Sequence, residues 1–288
     1  MKSTAKIKSA KVPLVTRCIF WEPSKPHTPL DREHIWGKWL KPYIRANANE
    51  HRLREEETGK PGTLSKIRIT RRTGEPLLSK LKIVCKACNS GWMSKIQNAA
   101  KPFLLPLIQG RKATFGLEAQ RAIAAWCTMA TMTGDYLSHD DTAVAISQEE
   151  RDWLRDNETT PRNWKIWIGH YTGRKGRWTH FVVPILEAKD VPDSVIDGIA
   201  QPNTQTTTFV IGNLFVHVIS GDPDTISRWI WPAGSPLTLK LVQIVPAKES
   251  IVVWPPIGLT DFEIELISTA FERVIDGASR SLTGLRLV

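Results

Sequence analysis

The sequence predicts an α+β protein in two parts, a cysteine-bearing N-terminal module and a second α+β domain with a mostly antiparallel sheet. Three observations lead there. The 288 residues, 41% apolar and 24% charged, have the balance of a globular chain long enough for two domains. Three of the four cysteines, an acidic-His pair and an excess of positive charge all gather in the first 112 residues. Beyond residue 117, one long apolar segment is followed by a short helix, five strand candidates and a closing helix. The division expected is a basic arm at 1–13, a first module at 14–110 and a second domain at 111–288.

The chain opens with Lys2, Lys6, Lys8, Lys11 and Arg17 and no acid through residue 17. The stretch lacks the apolar core and cleavage site of a secretory signal. A loose basic arm is the plainer reading, and a mitochondrial-type presequence is the other. Val12 to Phe20 is a strand candidate leading into Cys18. The Pro-rich run from Trp21 to Pro29 is a loop or knuckle. Leu30 to Leu40 holds Glu33-His34, with Ile35, Trp36 and Trp39 to pack it and Pro42 to end it. Residues 45–62 are polar and read as an exposed insertion. Lys66 to Thr70 alternates basic and apolar residues, as a half-exposed strand does. Leu81 to Val84 is a short strand running into Cys85-Lys-Ala-Cys88-Asn89.

A helix is expected from Ser90, with Trp92, Ile96 and Ala99 sharing a face and Pro102 disturbing its end. A second runs from about Leu117 to Met132, and a short one from Gln148 to Asn157. Strands are expected at 164–170, 178–186, 207–220, 237–245 and 251–254. Gly173-Arg-Lys-Gly176 reads as a hairpin turn between the first two. Thr260-Asp-Phe-Glu263 resembles a capping box opening a helix to about Ile275. His139-Asp140-Asp141 reads as a solvated loop, His170, His180 and His217 as half-buried sheet residues, and Cys127 as core.

Residues 1–112 hold 24 Lys/Arg against 8 Asp/Glu, a net +16, while the remainder is −6. A cationic surface gains affinity for polyanions by releasing counterions from phosphates, so nucleic acid is the expected partner. No apolar run reaches the roughly 18 residues of a membrane span, so no membrane partner is expected. Four cysteines, two of them in a CxxC, suit a reducing, cytoplasmic setting and a metal site.

The order Cys18, Glu33-His34, Cys85-x-x-Cys88-Asn89 resembles that of the HNH (His-Me finger, ββα-metal) endonucleases, and within them the zinc-stapled, endonuclease VII-like branch. The resemblance covers about residues 14–104. It implies a β-hairpin followed by a helix, His34 as general base, and Glu33 and Asn89 as ligands of a catalytic Mg²⁺ or Mn²⁺. It also implies a structural Zn²⁺ on Cys18, Cys85 and Cys88. Trp21 stands where the family has a second knuckle cysteine, so either His27 completes the zinc set or Trp21 packs over a lost site. Adjacent strand residues point to opposite faces, so Glu33 and His34 can serve one site only where the hairpin twists or bends. Fifty residues separate His34 from Cys85, and Asn47, Asn49 and His51 are candidates for supporting polar roles. Candidate nucleic-acid contacts are Lys38, Lys66, Arg68, Arg71, Arg72, Lys86 and Lys95, and the expected substrate is double-stranded or branched DNA. A homodimer is compatible with this reading. Two alternatives remain: a degenerate, non-catalytic zinc-knuckle DNA-binding module, and the nuclease component of a phage-defence or mobile-element system.

Overall fold

The structure, a computed structural model, describes residues 15–22, 24, 28–34, 36–44, 51–56, 67–72, 80–136, 144–183, 185–187, 203–221, 236–270 and 285–287. It is an α+β protein whose largest sheet has seven strands, antiparallel but for one pairing.

Strand β1 (Leu30–His34) pairs antiparallel with β4 (Lys80–Cys85). Between them lie β2 (His51–Glu56) and β3 (Ile67–Arg72), paired antiparallel with each other. The polar stretch read as an exposed insertion therefore contains a strand. Its backbone joins the large sheet through the parallel pairing of Arg52 and Leu53 with Thr179 and His180. An edge strand with unpaired amides accepts such an addition whatever its side-chain pattern.

The chain leaves β4 at Cys85 into helical turns Lys86–Cys88 and Asn89–Met93, then helix α1 (Ser94–Ile108). Helical backbone begins at Lys86, four residues earlier than expected, and runs through both Pro102 and Pro106. The two prolines lie four residues apart, Pro102 exposed and Pro106 half-buried, so solvent can serve the carbonyls they leave unpaired. Ile96, Ala100, Leu104, Leu107 and Ile108 form the buried stripe, and burying it outweighs a proline cost of about 3 kcal/mol each.

Strand β5 (Ala113–Gly116) leads into α2 (Leu117–Gly134), which is buried almost throughout. Helix α3 (Gln148–Asn157) opens with a complete Ser147/Glu150 capping box. The strands that follow are β6 (Trp164–His170), β7 (Trp178–Val183), β8 (Ile185–Glu187), β9 (Thr204–Ile211), β10 (Leu214–Ser220), β11 (Leu241–Val245) and β12 (Ile251–Trp254). Helix α4 (Asp261–Ser268) and β13 (Leu285–Leu287) complete the described chain.

The large sheet runs β11-β6-β10-β9-β7-β2-β3. Residues 173–176 are therefore not a hairpin turn, because β6 and β7 are separated by β10 and β9. The backbone amides of Arg174 and Lys175 instead turn toward Asp261, at the N-terminus of α4. The expected long strand at 207–220 is a two-stranded hairpin. It turns at Gly212, whose φ of +54° suits glycine. Residues 236–240 form a 3₁₀ turn before β11, and the strand expected at Val12–Phe20 is a turn where it is described.

At β6, β9 and β10 both faces of the sheet are buried, and the period of two assigns each side chain. Phe209, Leu214, Val216 and Val218 enter one core with Trp126 of α2, whereas Val210 and Phe215 enter another with Ile264 and Ile267 of α4. Trp36, from the loop after β1, also enters the first core, with ring centroids 5.6 Å from Trp178 and 5.3 Å from Phe209. That core holds Cys18, Val84 and Ile96 alongside Trp126 and Phe209, so residues on both sides of position 110 are packed together. Gly134 is where α2 meets Trp178: a Cβ there would lie 2.3 Å from the indole. Among the described residues no helix is long and apolar enough to cross a membrane.

Candidate metal centre

Cys18 sits on a turn closed by the Trp21 amide, which donates to the Cys18 carbonyl at 2.9 Å. The Ile19 amide donates to the Ile83 carbonyl of β4 at 2.9 Å, fixing this knuckle beside Cys85. Cys88 comes one helical turn later. The sulfurs of Cys18, Cys85 and Cys88 all lie within 4.8 Å of one another, with Cys18 and Cys85 buried and Cys88 partly so. Tetrahedral zinc with bonds of about 2.3 Å sets its sulfurs roughly 3.8 Å apart. The cluster would close by at most about 1 Å, so the three thiols could hold a metal ion such as zinc.

Its electrostatics are those of thiols crowded together. The hydrogen bond shared with Cys88, then burial, pushes the Cys18 thiol far up. The same bond holds Cys88 down at about 6, helped by Trp92, Cys85 and the charge of Arg155 against its burial. Packing keeps the knuckle in place: Phe20 meets Trp92 edge-on with centroids 4.9 Å apart. Trp21 lies under the Arg17 guanidinium, 5.1 Å from its ring centroid. His27, proposed as a fourth ligand, lies outside the described residues, as do Asn47, Asn49, Lys66 and the 139–141 loop.

Asn89 directly follows the third thiol. It is half-buried and helical (φ −62°, ψ −52°), four residues past the N-cap position at Cys85. The helical turn it begins is kinked at Gly91, whose torsions (φ −92°, ψ −115°) are not helical. Ser94 donates to the Asn89 carbonyl at 2.8 Å, and Ser90 to that of Lys86 at 2.6 Å.

For Glu33 and His34 the structure describes the backbone. They pair with Leu81 and Lys80, while Asp31 pairs with Val84. Between these pairs β4 uses one residue more than β1, which is a bulge. The extra residue is on β4 and falls ahead of the regular Glu33–Leu81 and His34–Lys80 pairs, so it bends β4 beside the Glu-His pair. Lys38, Lys86 and Lys95 are exposed; Lys95 lies 3.8 Å from Glu158 on a largely solvated pair. Arg68, Arg71, Arg72 and His51 lie on β3 and β2 by their backbones.

Sequence reasoning missed two things around this centre. The first is the grip of α3 on the knuckle: Gln148 Nε2 donates to the Ile19 carbonyl at 3.1 Å, and Arg155 Nη1 reaches those of Phe20 and Trp21. The second is a buried polar chain anchoring α3. Asp135 accepts from Arg151 at 3.1 Å and pairs with His180 Nε2 at 2.9 Å, and His180 Nδ1 meets Thr207 at 2.8 Å. His180 and His217 are thus fully buried, not half-buried, because both faces of the sheet are covered. Cys127 is core, as expected. Compared with known proteins, the chain matches no family model, no curated protein and no solved structure.

Proposed function

We propose that the chain is a divalent-cation-dependent endonuclease acting on nucleic acid, with DNA the first substrate to test. One observation carries this reading. The strand bearing Glu33-His34 pairs, across a bulge, with the strand that delivers Cys85, Cys88 and Asn89 into a helix, and Cys18 closes on the same corner. This order resembles that of a ββα-metal module, and it is set in a segment with a +16 charge.

In this reading Glu33 and Asn89 offer hard oxygens to one Mg²⁺ or Mn²⁺. That cation supplies charge neutralisation on the phosphate and help for the leaving oxygen. His34 accepts the proton of the attacking water, as an imidazole titrating near neutral pH can. The thiol cluster serves as a structural zinc site that fixes the start of the helix, hence Asn89, relative to β4. Exposed cations such as Lys38 and Lys86 hold the phosphate backbone and give no sequence preference. The test is cleavage of supercoiled plasmid with Mg²⁺, with Mn²⁺ and with EDTA, beside His34→Ala. Wild-type protein that binds DNA but cuts no DNA or RNA form would favour a degenerate binding module, the reading that Trp21 in place of a fourth cysteine supports.

A further inference from the structure

We propose that Gln148 and Arg155 of α3 are positioning residues for the thiol-bound metal, so that metal loading and the packing of α3 are one equilibrium. The inference rests on the reading that the three thiols hold a metal ion.

Two ligands, Cys85 and Cys88, are fixed by β4 and the helical turns after it. The third, Cys18, arrives on a short turn of separate chain. Besides the Ile19–Ile83 bond and the turn's own Trp21–Cys18 bond, carbonyls of the knuckle are held from α3, about 130 residues away in sequence. Gln148 opens that helix and Arg155 lies two turns later, so the two side chains grip successive carbonyls of Ile19, Phe20 and Trp21 from one face. Arg155 is itself oriented: Nη1 donates to Asp152 at 2.8 Å, Nε and Nη2 to Asp156 at 2.7 and 2.9 Å, and its side chain is 12% exposed. A planar guanidinium held on two carboxylates has little freedom left to lose when it also binds a carbonyl.

The Phe20 carbonyl makes the arrangement specific to metal. It lies 3.9 Å from the Cys88 sulfur. A metal-bound thiolate has no proton to give that oxygen, and two electron-rich atoms would face each other. Arg155 Nη1, 3.4 Å from the same oxygen, supplies the donor and a compensating positive charge. Outer partners of this kind commonly change metal affinity 10–100-fold.

The test is titration of apo-protein with Co²⁺, read by thiolate-to-cobalt charge-transfer absorption, then competition of Zn²⁺ against a chromophoric chelator. Arg155→Met keeps the aliphatic stem and removes every donor. It should weaken Zn²⁺ binding about 10–100-fold and alter the Co²⁺ spectrum. Arg155→Lys should recover part of the loss, and Gln148→Ala should show a smaller one. Circular dichroism of each apo variant separates this from misfolding. In the intact wild type, Zn²⁺ should slow amide exchange across residues 148–157. Wild-type affinity in Arg155→Met, or exchange in α3 indifferent to Zn²⁺, overturns the coupling while leaving the metal reading intact. Failure of the wild type to bind either ion overturns both.

Discussion

Asp135 is the residue whose loss should cost most outside the apolar core. It is fully buried at the end of α2 and receives Arg151 at 3.1 Å, His180 at 2.9 Å, and the backbone amides of Ile146 and Ala145 at 3.2 and 3.4 Å. Asp135→Ala removes the carboxylate at the centre of that knot. It leaves the Arg151 guanidinium, with a side chain only 4% exposed, buried beside a buried imidazole. Breaking a buried ion pair by removing one partner costs about 3–5 kcal/mol, since the charge that remains is uncompensated. The two amides add roughly 1 kcal/mol each if water cannot reach them. Urea denaturation followed by tryptophan fluorescence reads this directly, because Trp178 packs on Gly134, next to Asp135. The midpoint should fall sharply at an unchanged slope, with Asp135→Asn intermediate. A loss below about 1 kcal/mol for Asp135→Ala would refute the claim that this carboxylate organises α2, α3 and β7.

Other expectations follow from individual residues. Burial holds His217 down at about 3, so the folded state refuses a proton that the unfolded chain accepts below about 6.5. Stability should therefore fall as pH drops from 6.5 toward 3, with His217 contributing about 1.4 kcal/mol per pH unit. His217→Asn should flatten that part of a pH-dependent melting series, and an unchanged slope would count against it. Cys18→Ala should lose thiolate-to-cobalt absorption, whereas Cys127→Ala, buried in α2, should keep it and lose only stability. Reversing the exposed Lys38, Lys86 and Lys95 to Glu should weaken DNA binding across all sequences. The slope of log affinity against log salt should flatten by roughly 0.9 for each phosphate contact removed. An unaltered slope would place the DNA on another surface.

How much was legible in the sequence depended on how local the cause was. The capping box read at Thr260/Glu263 sits within four residues and is present in the structure, as is a second, unanticipated one at Ser147/Glu150. The strands at 164–170 and 251–254 have the bounds that their apolar content marked. Pro102 misled because its helix is held by a buried stripe that local propensity does not see. The 173–176 turn misled because strand order is a property of the whole sheet. Of the candidate centre, the spacing of Cys85 and Cys88 was visible, and Cys18 was placed with them by a resemblance in order. The hold of Gln148 and Arg155 on the knuckle was not visible, since no pattern links side chains to backbone carbonyls so far apart in sequence.

The most direct test of the proposed chemistry is the rate of plasmid cleavage by wild type and by His34→Ala, measured with Mg²⁺ and Mn²⁺ from pH 5.5 to 8.5. If His34 takes the proton from water, the wild-type rate rises through the imidazole range. His34→Ala should then lose about 10²–10⁴-fold while binding DNA as before. Full cleavage by His34→Ala would contradict it.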